Sequence, residues 1–280
     1  MDETSVKTDQ ENHDTKHDEQ IDMKIQELIA DHNRTKQKSK LILASLFLTA
    51  VAIFAVLVWK MPAVSPAERS VLLTFPDSPE KFANTKSVIR KYADQNFAYV
   101  LTLFIYLYIL MQSFAIPGPV FLSIISGSLW DFYFSLVITC LAATVGASIC
   151  YLLSLMLFKG WILKLWPKKI VTFMRKVKEH QHNLFFYMIS IRLNPLFPNI
   201  MVNLSSPVAG VPLYIYFPAT LIGLMPLNFI HVNTGATIDD INNVGLQPKH
   251  LLILLGLAGV AILPTLWKKR KHHHHHAKSE

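Results

Sequence analysis

The chain has 280 residues, 51% of them hydrophobic, and a formal net charge of +8. Its apolar residues gather in runs of about 20, the length that spans a bilayer, which excludes an ordinary soluble fold and marks an integral membrane protein. The positive charge lies beside those runs, so membrane topology and anionic lipid account for it and no nucleic-acid partner is expected.

Residues 1–40 hold ten acidic and seven basic side chains. They form a polar tail without the apolar core of a secretory signal, so insertion is expected to begin at the first span. Ile21, Ile25, Leu28 and Ile29 have the spacing of a short amphipathic helix, with disorder expected before it. Residues 41–59 carry no charge and are the first span. A polar, proline-bearing loop is expected over 60–96. Residues 97–116 are apolar, break at Pro117-Gly118-Pro119, and continue as a short piece from Val120 to Trp130. Another full-length span covers 132–158. Residues 159–183 are basic, with Ile170, Val171, Phe173, Met174 and Val177 interleaved with Lys168, Lys169, Arg175, Lys176 and Lys178. That pattern predicts a helix lying on the cytosolic leaflet, with a solvated loop as the alternative. Residues 184–210 are apolar but hold an arginine, two prolines and three asparagines within 191–203, and 211–231 and 251–267 complete the set.

Three basic clusters flank these runs: Arg34 to Lys40, Lys159 to Lys178, and Lys268 to Lys271. The positive-inside rule places all three, and with them both termini, in the cytosol. An even number of crossings must then separate consecutive clusters. Parity is met if 97–130 and 184–210 each enter and leave on one side, turning at their prolines, where cavity water and side chains can satisfy non-helical backbone. The expected fold is therefore an all-α membrane protein with two inverted re-entrant hairpins and four transmembrane helices, an organisation typical of transporters.

Arg192 is the sharpest candidate residue. A guanidinium inside the membrane costs several kcal/mol unless it meets water, a counter-charge or a phosphate, and its fork of donors suits a phosphate. It is read either as a lipid-headgroup contact or as a structural arginine bonding carbonyls freed by Pro195 and Pro198. Asn194, Asn199 and Asn203 line the same groove or cap broken helix ends. Asp131 is read as a partner for Arg192 across the groove or as a solvated interfacial acid. Ala142, Ala143, Gly146, Ala147 and Cys150 form a small-residue face suited to close helix packing. Cys140 and Cys150 lie within an apolar run and are expected unpaired. Neither Asn33-Arg34-Thr35 nor Asn203-Leu204-Ser205 is expected to be glycosylated, and His272–His276 reads as a native tail or a tag. No cofactor, metal site or enzymatic motif is expected.

The residues ISIRLNPLFPNIMVNLSSPVAGVPLYIY, with IPGPVFLSIISGSLW and GASICYLLS before them, resemble the DedA superfamily, also called the VTT-domain or SNARE-associated Golgi protein family, and within it the Stasimon-type branch. Arg192, Pro195, Pro198, Asn199, Asn203, Ser206-Pro207 and Val211-Pro212-Leu213 match its signature. The resemblance implies facing re-entrant hairpins and residence in the endoplasmic reticulum. It also implies energy-independent phospholipid scrambling that supports autophagosome formation and lipid or lipoprotein homeostasis. Membrane phospholipids, and autophagy or lipid-transfer proteins, are the implied partners. Bacterial members place an acid just after the Pro-Gly of the first hairpin; Pro119 stands there, which weakens proton coupling. The alternatives are an ion- or proton-coupled transporter of a lipid phosphate or small anion, with Asp131 as the coupling group, and a non-transporting membrane adaptor.

Overall fold

The computed structural model describes residues 39–73, 79–158, 162, 167–194 and 197–237, with Met23 and Gln26 as isolated helical positions. The expected last span at 251–267, the C-terminal basic cluster, most of the N-terminal tail and Pro195 lie outside the described residues. Within them every regular element is helical and no strand occurs. Three helices are long and apolar enough to cross a membrane: α1 (Ser39–Trp59), α6 with its extension (Phe132–Leu157) and α10 (Leu213–Ala236). The chain is an all-α membrane protein.

α1 touches the remainder through a ladder of phenols. Tyr99 and Tyr106 donate to the backbone carbonyls of Leu57 and Ala50, both at 2.7 Å, and Tyr92 donates to that of Pro62 at 3.0 Å. Tyr99 and Tyr106, and likewise Leu57 and Ala50, are seven residues apart, which puts these two contacts on one seam of an antiparallel pair. The other face of α1 remains apolar and exposed, as lipid contact requires.

The segment read as a loop over 60–96 instead holds two helices, α2 (Pro66–Leu73) and α3 (Pro79–Gln95). The start of α2 is a capping box: Ser65 donates to Glu68 at 2.8 Å and accepts from the Glu68 backbone N–H at 3.3 Å, with Pro66 in the first helical position. Lys91 of α3 bonds Glu68 at 2.9 Å, and this with the Ser65 hydroxyl holds the Glu68 carboxyl below the usual carboxylate range. The clasp is therefore complete above that range and lost as pH falls through the lowered value. The axis turns by 105° at Asn96 into α4 (Phe97–Ser113).

Two helix–break–helix units follow. α4 ends three residues before the expected boundary, and the chain then runs through Ala115 (φ 56°) and Gly118 (φ 143°) into α5 (Pro119–Leu129). Gly118 supplies a backbone conformation that a side chain resists, and Pro119 starts the helix where no N–H is needed. The Tyr108 and Ser123 hydroxyls meet at 3.1 Å, so α5 doubles back along α4. α6 (Phe132–Leu153) starts at Asp131, whose side chain accepts from the Tyr133 N–H at 3.0 Å, and ends in a π-helical segment, Ser154–Phe158. The second unit is α8 (Leu184–Leu193), a break at 194–198, and α9 (Asn199–Ser205), followed by α10. Each long helix packs on the first arm of its own unit, α4 on α6 and α8 on α10, while each short arm reaches the other half, α5 to α10 and α9 to α6.

Between them lies α7 (Pro167–Glu179). Its apolar face was expected to meet lipid. Instead Ile170, Phe173, Met174 and Val177 are buried on Cys150, Leu204 and Val208, and on Tyr151, Leu184 and Met188. Lys169, Arg175 and Lys176 remain exposed and Lys178 half-buried; the Lys168 side chain lies outside the description. The period is amphipathic as expected, but its apolar partner is protein.

α5 and α10 cross with their backbones in contact. A side chain on Gly127 would strike the Val232 carbonyl, and one on Gly235 would strike that of Ile124. Gly235→Ala must push two backbones apart, an overpacking cost of about 1–3 kcal/mol. Thermal unfolding in detergent should show its midpoint lowered by several degrees, while Thr234→Ala, at the exposed neighbouring position, stays within about a degree. Equal midpoints would show that the crossing is not tight.

Candidate functional site

Arg192 lies in the last turn of α8, where freed carbonyls and the negative end of the helix dipole favour a cation. It is only 5% exposed. Its Nη2 donates to Asn203 Oδ1 at 3.0 Å. Its Cζ sits 4.9 Å from the centroid of the Tyr216 ring, within cation–π range. The Tyr216 hydroxyl lies 2.7 Å from the same Oδ1 and 3.2 Å from the Ala147 carbonyl, so one amide oxygen gathers the guanidinium and the phenol. Tyr216 is fully buried and its ring packs 4.8 Å from Tyr151, whose hydroxyl donates to the Val211 carbonyl at 2.7 Å. The room for Arg192 comes from Gly223 on α10: a Cβ there would fall 2.7 Å from Arg192 Cβ.

The remaining donors are the informative part. Arg192 Nε and Nη1 are buried and have no hydrogen-bond partner among the described residues, and no carboxylate faces the group. Buried polar groups are ordinarily paired, and a buried cation without a counter-charge is costly. Such a site can receive acceptor oxygens, and a phosphate offers them in the geometry the guanidinium prefers.

The other candidate residues divide plainly. Asn203, 1% exposed, belongs to the site as an acceptor and not as a helix cap, and its burial agrees with its not being a glycosylation acceptor. Asn194 follows α8, its N–H bonding the Ile191 carbonyl, and Asn199 opens α9; both are half-buried at the break. Asp131 is not brought to Arg192: it is exposed, caps α6, and no ion pair joins the two. Pro117, Gly118, Pro119 and Pro198 all lie at the two breaks, Pro198 as the residue before α9. Sequence reading missed Tyr216, which is concealed in an apolar run; its only signal is a phenol that would otherwise be buried without a partner.

Comparison with known proteins follows this geometry. The VTT domain model matches residues 116–237, which covers both breaks and α10. The transmembrane protein 41 homolog of Caenorhabditis elegans is 35% identical over 223 residues, covering 79% of this chain and 90% of its own length. The chain belongs to the VTT-domain family. Within it, Transmembrane protein 41B of Homo sapiens is 34% identical over 250 residues, with 86% of each chain covered. The Xenopus tropicalis protein of that name is 36% identical over 234 residues, 83% of this chain and 84% of its own. No solved structure matches this VTT-domain protein.

If the guanidinium is held for a ligand, the empty fold carries its cost. Arg192→Met, which removes the charge and keeps the length, should unfold at or above the wild-type temperature. Asn203→Leu removes the amide oxygen that the guanidinium bonds and should lower the midpoint by several degrees. A marked loss of stability in Arg192→Met would make the arginine a structural clamp.

Proposed function

We propose that this VTT-domain protein is an energy-independent phospholipid scramblase of the endoplasmic reticulum membrane. The same proposal includes support of autophagosome formation and of lipid and lipoprotein homeostasis, taken from the family resemblance. The observation that carries it is the buried guanidinium of Arg192 at a helix break, with no counter-charge and two nitrogens unpaired among the described residues.

In this reading the two helix–break–helix units are re-entrant hairpins that meet near the bilayer midplane, and the polar ends of their arms line a groove. Acyl tails stay in lipid while a headgroup passes the breaks. Arg192 takes the phosphate oxygens in place of water and lowers the cost of bringing charge into hydrocarbon. Tyr216 and Asn203 hold the guanidinium in place, so little ordering is left to the moment of contact. The exposed cations of α7 (Lys169, Arg175 and Lys176) would each add about 1 kcal/mol of attraction to an anionic leaflet, supplying lipid without driving its direction.

A coupled transporter would need a titratable group beside Arg192. Asp131, the acid foreseen for that role, is engaged at the start of α6, which supports the passive reading.

The test is a quenching assay on the full chain in unilamellar vesicles. Fluorescent phospholipid in both leaflets is challenged from outside with an impermeant reductant, without nucleotide or gradient. Wild type should expose the inner-leaflet probe, and an imposed proton gradient should leave the rate unchanged. Folded Arg192→Ala should be at least about tenfold slower, since a hydrogen bond to a charged group is worth about 1.5–3 kcal/mol. Arg192→Lys, which keeps the charge without the planar fork, should fall between them. Protection of the inner probe in wild type would remove the scramblase reading, and acceleration by a proton gradient would replace it with coupled transport.

A further inference from the structure

The two halves share a pattern of contacts. On the second, Asn203 of α9 bonds Tyr216 of α10, thirteen residues on, and Tyr216 stands seven residues before Gly223, against which Arg192 rests. On the first, Ser126 of α5 bonds Thr139 of α6 at 3.1 Å, again thirteen residues on, and Thr139 stands seven residues before Gly146. One displacement of 77 residues carries Ser126, Thr139 and Gly146 onto Asn203, Tyr216 and Gly223. It also carries Gly127, which lies on Val232, onto Leu204, whose carbonyl accepts from Ser154 at 2.6 Å, next to the residue to which Val232 maps back.

The side chain that rests on Gly146 is Gln112: a Cβ on that glycine would fall 2.6 Å from Gln112 Cβ, against 2.7 Å for Arg192 on Gly223. Each is a long polar residue in the last two positions of its arm, and each arm is followed by a five-residue break. By its contact with the glycine, at a displacement of 80 residues rather than 77, Gln112 stands in the first unit where Arg192 stands in the second. It differs in two respects. It is neutral, and it is half-buried with a side-chain amide that makes no hydrogen bond among the described residues. Packing alone would be served by leucine or methionine, which carry no amide to satisfy.

We propose that Gln112 is the neutral counterpart of Arg192, a second contact residue for the phospholipid headgroup. Its amide donates to phosphate or ester oxygens without selecting for net charge. The inference rests on the scramblase reading of the Arg192 site and adds the first unit to the lipid path. A single bond from a neutral amide to a phosphate is weaker than the bidentate ion pair a guanidinium makes, so Gln112 lowers the barrier at its break without making a second trap.

Two measurements on the full chain in phosphatidylcholine vesicles test it. Wild type is irradiated with a headgroup-diazirine phosphatidylcholine and digested. Adducts are expected on the peptide containing Gln112 and on the peptide containing Arg192. In the quenching assay, Gln112→Leu should slow fluorescent phosphatidylcholine and phosphatidylserine alike, by roughly fivefold to tenfold. Gln112→Arg should slow phosphatidylserine relative to phosphatidylcholine, because a second guanidinium holds the anionic lipid. If Gln112→Leu scrambles at the wild-type rate and no adduct forms at Gln112, the counterpart site is overturned while the scramblase reading stands. If wild type moves no lipid, that reading falls by itself, and the adduct at Gln112 then supports or overturns the contact site. Should Gln112→Leu fail to fold, labelling of the wild type decides.

Discussion

The structure depends on placing one guanidinium among helices where no carboxylate of the described residues receives it. Taking such a charge out of water costs several kcal/mol even after relaxation, and the surroundings return only part of that. Asn203 gives one oxygen, Tyr216 gives a ring face, and the end of α8 gives the negative pole of a short helix dipole. None of these cancels the charge. Gly223 is required because the arginine stem lies where a side chain of α10 would stand, and the break after Leu193 is required because an uninterrupted helix would offer no free carbonyls nearby. The net positive potential that remains in the fold is the property the site can use.

Many hydroxyls are buried, as in a broad polar channel, but their bonds argue otherwise. Thr144, Ser148, Ser205, Ser206 and Thr220 all donate to a carbonyl four residues back on their own helix. Satisfied in this way, they behave as small packing residues that let helices approach. Other hydroxyls cross between elements: Tyr108 with Ser123, Ser113 to Gly146, Ser126 with Thr139, Ser135 to Ser126, Ser154 to Leu204, Tyr151 to Val211, and Tyr216 to Asn203 and Ala147. They clamp the short arms against the long helices. The glycine crossing of α5 and α10 serves the same end with backbone alone. Polarity in this core is mostly rigid scaffold, and the unsatisfied groups stand out against it.

What could be read from residues follows from which terms were local. The described spans were legible from hydropathy, and Arg192 from its cost. The helices of 60–96 were passed over because they are polar, although the Ser65-Pro66-Ala67-Glu68 capping box announces the first of them. The amphipathic period of α7 was legible, but its partner was not, since lipid and protein interior ask for the same apolar face. Asp131 stands directly before an apolar run, the place of an N-cap, and its local bond prevailed over the long-range pairing considered for it. Tyr216 and Gln112 were invisible because nothing local distinguishes them; their roles exist only after α6 and α10 have brought Gly146 and Gly223 into register.

That register also explains why the halves look unrelated as strings. What repeats is a relation, an acceptor on the short arm met by a hydroxyl thirteen residues later and a glycine seven after that, and the chemistry filling it differs on each side: Ser126 and Thr139 in one half, Asn203 and Tyr216 in the other. The larger pair accompanies the charged residue and the smaller pair the neutral one. A guanidinium needs an amide oxygen and an aromatic face to remain ordered, whereas a glutamine amide leaves two hydroxyls free to satisfy each other. The difference between Arg192 and Gln112 is thus distributed over three positions in each half. Exchanging the two residues alone would put a charge against Gly146 in the half where Ser126 and Thr139 stand in place of the amide and the phenol.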